Sequence, residues 1–236
     1  MPEATYLERR GELETYFDRT AAAAWAKLTS DAPVGRIRAS VRAGRDDMRS
    51  TLLDYLGRDL RGVRLLDAGC GTGALAVEAA RRGARVTAID LSPTLVKLAQ
   101  ERLPADIDGS RIDFRVGDLL DPQLGEFDCV VAMDSLIHYR AGDIVDVLSN
   151  LAARARLSLV FTFAPRTPLL AAMHTVGRLF PRSDRAPAIE PVSPRTLTRL
   201  IGETPALAGW RPGRTRRIAS SFYISQALEL THDRTT

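Results

Sequence analysis

From Val63 onward the chain alternates two kinds of apolar pattern. Short apolar runs that end in turn residues read as buried strands: VRLLDAG, RVTAID, RIDFRVGD, FDCVVAMD and LSLVFTFAP. Among them lie stretches with apolar residues three and four apart, ALAVEAARRG, SPTLVKLAQERL and AGDIVDVLSNLAARA, which predict amphipathic helices. Ser92 stands where an N-cap is needed, Pro93 at the first helical position, and Gly83 closes the helix before them. Strand–helix units of this length predict an α/β fold, a parallel sheet with helices on both faces. After a further helix, SPRTLTRLIG, the runs RTRRIA and FYISQALEL lie close enough together for a hairpin.

Two segments break the alternation. Residues 1–57 have helical spacing, with Leu13, Tyr16, Phe17, Trp25 and Leu28 at intervals that suit one face, and TSDAPVG interrupts the run. The helix that follows carries Ile37, Val41, Met48, Leu52 and Leu56 on one side and Arg38, Arg42, Arg45 and Arg49 on another stripe. With Asp46 and Asp47 beside them, these arginines read as a solvated face. The second segment, about 165–192, is cut by prolines around a short helix with Leu169, Leu170, Met173, Val176, Leu179 and Phe180. Core is the default role for that helix; a wall for an apolar ligand and a membrane-surface element are the other readings. The expected organisation is a helical cap over 1–57 and a main domain over 58–236 that contains the insertion.

With 45% hydrophobic and 26% charged residues, the 236-residue chain has the makeup of one globular α/β domain with an added cap. Its net charge is only +4, yet Lys27 and Lys97 are the only lysines. An arginine surface suits carboxylate or phosphate ligands, and a compositional bias of the genome would produce the same excess. Cys70 and Cys129 have neither metal-ligand spacing nor a disulfide framework, which points to a reducing cytoplasm and to no protein-bound metal. No stretch reads as a signal peptide or is long enough to span a bilayer.

LLDAGCGTGALA carries the chemistry. Asp67 ends a strand, and Gly69, Gly71 and Gly73 alternate before a helix, as a nucleotide crevice requires. Gly69-x-Gly71-x-x-Ala74 also satisfies the relaxed dinucleotide fingerprint, and Asp90, an acid placed to bind ribose hydroxyls, serves either cofactor. The acid before the loop and the third alternating glycine resemble motif I of class I S-adenosylmethionine methyltransferases. In that family the acid corresponding to Asp67 orients the ammonium end. Asp118, in VGDL, falls at the adenine-binding position, where the Leu119 amide reaches a ring nitrogen. The resemblance implies a cofactor set of Asp67, Gly69, Cys70, Gly71, Gly73, Asp90, Leu91, Asp118, Leu119 and Met133. It also implies a seven-stranded, mostly parallel sheet with an antiparallel last strand.

YFDRTAAAAWAKL, RIRASVRAGRDDMRSTLLDYL, DSLIHY and RIASSFYISQALEL together resemble the magnesium-protoporphyrin IX O-methyltransferases of chlorophyll and bacteriochlorophyll synthesis. That family transfers a methyl group from S-adenosylmethionine to the C13 propionate of magnesium protoporphyrin and releases S-adenosylhomocysteine. Magnesium enters only inside the porphyrin. The resemblance implies catalytic roles for His138 and Tyr16. His138 would bond the propionate or approach the magnesium axially, and Tyr16 would close over the site. Tyr139, Arg38 and Arg42 would contact substrate, and the arginine stripe of the second helix would meet the other propionate. It further implies a handover from the magnesium chelatase large subunit, and it is compatible with peripheral contact with the photosynthetic membrane. Another small-molecule acceptor is the nearest alternative. A nucleic-acid substrate is disfavoured, because Met133-Asp134-Ser135-Leu136 stands where a base-modifying enzyme has Asn-Pro-Pro-Tyr or Asp-Pro-Pro-Tyr.

Overall fold

The computed structural model describes residues 4–20, 29, 35–166, 188–220 and 222–232. Seven strands form one sheet: β1 Arg64–Ala68, β2 Arg85–Asp90, β3 Ile112–Val116, β4 Phe127–Ala132, β5 Ala155–Phe163, β6 Trp210–Ser220 and β7 Tyr223–His232. Their order is β3-β2-β1-β4-β5-β7-β6. β1 to β5 are mutually parallel, and β7 runs antiparallel between β5 and β6. This is the expected class I methyltransferase sheet. The order reverses at β1, whose Asp67 pairs with Ala88 of β2 on one side and with Val131 of β4 on the other. A crevice opens at the carboxyl ends of strands where the order reverses.

Six helices lie among the described residues: α1 Ala4–Thr15, α2 Arg36–Leu56, α3 Ala74–Arg81, α4 Pro93–Glu101, α5 Ala141–Ala152 and α6 Pro194–Glu203. Ser92 caps α4 as its sequence predicts, since its Oγ accepts from Leu95 N at 3.2 Å. Side chains along each strand alternate between two cores. Leu66, Ala68, Val130 and Ala132 pack toward α5 and α6, while Leu65, Cys129, Val131 and Met133 pack toward α2 and α3.

The N-terminal 57 residues divide between these layers. Tyr6 and Leu13 of α1 join the first core, whereas Met48, Leu52 and Leu53 of α2 belong to the second. Gly44 lets α2 cross the last strand closely, because a Cβ there would sit 2.6 Å from the Tyr223 ring. Ile37, expected on the apolar side of α2, is 56% exposed at the helix's first turn. Trp25 and Leu28 lie outside the described residues, and so does the short apolar helix expected between Leu169 and Phe180. Among the described residues, no helix is long and apolar enough to cross a membrane.

Candidate active site

The carboxyl ends of β1, β2 and β4 open into a cavity of about 310 Å³. Its floor is the glycine loop, and each glycine has its own physical reason. Gly69 (φ +87) admits the next loop, since a Cβ would stand 2.4 Å from Ser135 Cβ. Ser135 Oγ in turn donates to the Ala68 carbonyl at 2.9 Å. Gly73 (φ +77) opens α3 against α4 and β3, where a Cβ would meet Ala99 and the Phe114 ring at 3.0 Å. Gly71 (φ +54) has nothing within 4 Å of a would-be Cβ and borders the cavity. Of the three, Gly71 leaves open space where a ligand's approach needs it.

Two buried acids border the same cavity. Asp67 is 1% exposed, and its Oδ2 has no hydrogen-bond partner. Burial, reinforced by the neighbouring Asp90 carboxylate, pushes its pKa up to about 7. Asp90 is also raised by burial, although the Ser92, Gly71 and Leu91 amides oppose the shift. It accepts from Gly71 N at 2.8 Å and from Ser92 N at 3.0 Å, which fixes the turn of the loop. Burial and both acids push the Cys70 thiol up, so it remains a neutral wall residue.

The cavity gathers most of the residues expected from sequence. Asp67, Gly69, Cys70, Gly71, Asp90, Leu91, Leu119, Met133, His138, Tyr139 and Arg42 all line it. Gly73, Asp118, Tyr16 and Arg38 are absent from its walls. Gly73 packs between elements, as above. Asp118 faces the N-terminal helix instead: its carboxylate accepts from Tyr6 Oη at 2.7 Å, Arg10 Nη1 at 2.8 Å and Leu120 N at 2.9 Å. Tyr16 is half-buried in a π-helical turn and meets Phe17 edge-on, and it is Phe17 that reaches the cavity. Arg38 is exposed near the start of α2, one turn before the arginines that reach the site.

His138 is 6% exposed, with Nδ1 3.3 Å from the Ala188 carbonyl and its ring edge-on to Phe17. Tyr139 stacks on Tyr6 with ring centroids 5.2 Å apart, which ties α1 to the site wall. Arg42, Arg45 and Arg49 line the cavity, so of the two readings of the arginine stripe this part of it is a site wall and not a solvated face. Arg45 pairs with Asp134 at 2.6 Å, and Asp134 and Ser135 complete that wall. Sequence reasoning missed Asp134, Ser135 and Phe17 as site residues, and it reached Arg45 and Arg49 only as members of the helical stripe. The three arginines at i, i+3 and i+7 were the one available signal.

A glycine loop and two buried acids at the point where strand order reverses define a class I S-adenosylmethionine-dependent methyltransferase. The cofactor suits these residues. Asp67 Oδ2 is a buried acceptor in want of a donor such as an ammonium, and Gly71 keeps a Cβ out of the approach. A general methyltransferase domain profile matches residues 65–156, and a profile described as "Magnesium-protoporphyrin IX methyltransferase C-terminus" matches 132–232. The magnesium-protoporphyrin O-methyltransferase of Rhodobacter capsulatus is 49% identical over 95% of this chain and 97% of its own length. The chloroplastic magnesium protoporphyrin IX methyltransferase of Arabidopsis thaliana is 31% identical over 91% of this chain and 68% of its own. A crystal structure of the Synechocystis magnesium protoporphyrin IX methyltransferase with bound S-adenosylhomocysteine superposes with a TM-score of 0.83. It is 27% identical and covers 95% of this chain and 100% of that one. The chain belongs to the magnesium-protoporphyrin IX O-methyltransferase family.

Proposed function

We propose that the chain transfers a methyl group from S-adenosylmethionine to the C13 propionate of magnesium protoporphyrin IX, giving the monomethyl ester. The observation that carries this reading is one cavity joining an unpartnered buried Asp67 oxygen to a wall of arginines. The first suits a cationic cofactor and the second an anionic substrate, and family membership supports both.

When bound, S-adenosylmethionine supplies an electrophilic methyl group on a sulfonium. Asp67 holds the cofactor's ammonium, and Asp90 accepts from its ribose. A propionate is ionised at neutral pH, so these residues need supply no strong base. They align acceptor and methyl group and keep water from the carboxylate. Charge is lost as anion meets cation, so the half-apolar cavity walls of Leu13, Phe17, Leu119 and Met133 favour the transition state over the separated ions.

The geometry of His138 supports a place on the substrate side of the cavity. It lines the cavity, with Nδ1 3.3 Å from the Ala188 carbonyl, which can only accept. His138 is assigned to the substrate, to bond the propionate or to approach the magnesium, and Tyr139 to its rim. Tyr16 packs edge-on against Phe17, which lines the cavity, and is assigned to closing over the site. A poorly soluble porphyrin also favours direct handover from the magnesium chelatase large subunit and a peripheral membrane contact.

The test is an absorbance titration of magnesium protoporphyrin with the wild-type chain and His138→Ala. Wild type shifts the porphyrin bands. The variant weakens or abolishes the shift and lowers turnover sharply, while S-adenosylhomocysteine affinity stays near wild type. An unshifted wild-type spectrum contradicts the substrate, and unchanged turnover in the variant removes His138 from the mechanism.

A further inference from the structure

We propose that Arg45, held by Asp134, contacts the second, unreacting carboxylate of the substrate, with Asp134 as its positioning residue. The inference rests on the porphyrin reading above and names the residues that would select a diacid.

Arg45 lies between Arg42 and Arg49 on the α2 stripe that borders the cavity, and its bridge to Asp134 leaves the helix altogether. Nη1 stands 2.6 Å from Asp134 Oδ2, across 89 positions of sequence. Arg49, by contrast, pairs with Asp46 one turn away on α2 itself. Asp134 immediately follows Met133 at the end of β4, and its side chain is 6% exposed. Its backbone is left-handed (φ 55), and among the described residues it alone of the non-glycines is so. Surroundings that over-determine a residue in this way are characteristic of functional sites.

The donors around Asp134 show which partner fixes the other. Its carboxylate receives Tyr223 Oη at 3.0 Å, Ser225 Oγ at 3.2 Å and Thr162 Oγ1 at 3.2 Å, all from β5 and β7. Its backbone amide donates to Thr162 Oγ1 at 2.7 Å. The three hydroxyls fix the orientation of Asp134 independently of Arg45, and Arg45 supplies its countercharge. What the pair does is hold the end of a long, flexible side chain at the cavity wall. A guanidinium carries five N–H donors in a rigid fork, enough to keep Asp134 and grip a substrate carboxylate together.

That carboxylate is the unreacting one. The reacting propionate loses its negative charge as it attacks, so a guanidinium on it would stabilise the ground state more than the transition state and slow the reaction. On the other propionate the same contact is equal in both states, and it positions the ring without a cost to the chemical step. Asp134 offsets part of the positive charge near the reacting centre.

Steady-state kinetics with two substrates test this: magnesium protoporphyrin, and the derivative whose unreacting propionate is a methyl amide. Arg45→Gln should raise KM for the diacid by roughly ten- to a hundredfold, the range of a hydrogen bond to a charged group. The loss should sit in KM and not in kcat. The preference for diacid over half-blocked substrate, in kcat/KM, should fall by the same factor. Asp134→Asn should move the preference in the same direction by less. If Arg45→Gln does not fold, Arg45→Lys, which keeps charge but not the fork, should still narrow the preference. An unchanged preference in the folded variants overturns the inference. Wild type that uses both substrates equally overturns it while leaving the porphyrin reading intact. Wild type that uses neither overturns both.

Discussion

Asp67→Asn probes the cofactor end of the site most deeply, because the carboxyl is buried without a partner for Oδ2. Its pKa rises from 3.8 to about 7, first through burial and then through Asp90. At about 1.4 kcal/mol for each factor of ten in the protonation equilibrium, a rise from 3.8 to about 7 corresponds to roughly 4 kcal/mol against the folded, cofactor-free protein at neutral pH. The pKa is raised in the folded state, so this penalty is absent below the unfolded value and grows as the pH climbs toward the folded one. A bound ammonium reverses the preference and favours the ionised acid. Cofactor affinity should therefore weaken below about pH 7, by about tenfold per pH unit. It should level off above that. Calorimetric titration with S-adenosylhomocysteine, from about pH 5.5 to about pH 8, measures the profile. Asp67→Asn should flatten it and weaken binding at neutral pH by roughly ten- to a hundredfold. It should also raise the melting temperature of the cofactor-free protein. Asp90→Asn should move the midpoint down, because it removes a like charge. Affinity independent of pH in wild type, or an unchanged slope in Asp67→Asn, refutes the reasoning.

Gly69→Ala puts a Cβ 2.4 Å from Ser135 at a left-handed φ; it should cost roughly 2–4 kcal/mol in urea unfolding, and adding Ser135→Gly should recover part. A wild-type midpoint for the single variant contradicts the packing argument. Tyr6→Phe removes one of three donors to Asp118 and should cost about 1 kcal/mol. Hydrogen exchange should show α1 less protected while the central strands are unaffected, and equal protection of α1 in both proteins counts against the latch. In the His138→Ala titration described above, loss of the porphyrin band shift with cofactor affinity preserved is the outcome that fits a substrate contact.

What could be read from sequence was whatever local chemistry decides. The strand–helix alternation, the Ser92 cap and the glycine turn depend on neighbours within a few residues, and each stands where the pattern placed it. Asp67 and Asp90 follow from the same local logic, because a strand end fixes where an acid points. Asp118 shows the limit. Its position at a strand end matched expectation, but its partners Tyr6 and Arg10 lie more than a hundred positions away, and no local pattern reveals them. The arginine stripe stayed ambiguous for a similar reason. Helical spacing put Arg42, Arg45 and Arg49 on one face, but whether that face meets water or a cavity depends on the docking of α2 across β6 and β7. Asp134, the acid that fixes Arg45, belongs to a different element. β6 ran longer than RTRRIA suggested because, as an edge strand, it exposes arginines on most of its length and leaves little apolar alternation to read.

If this cavity methylates a porphyrin carboxylate, the methyl group of the cofactor must reappear there as an ester. Incubating the purified chain with methyl-labelled S-adenosylmethionine and magnesium protoporphyrin measures it directly. One labelled methyl ester per porphyrin is expected, with the label lost on alkaline hydrolysis. Label that stays with the cofactor, or enters the porphyrin in a form that resists hydrolysis, would contradict it.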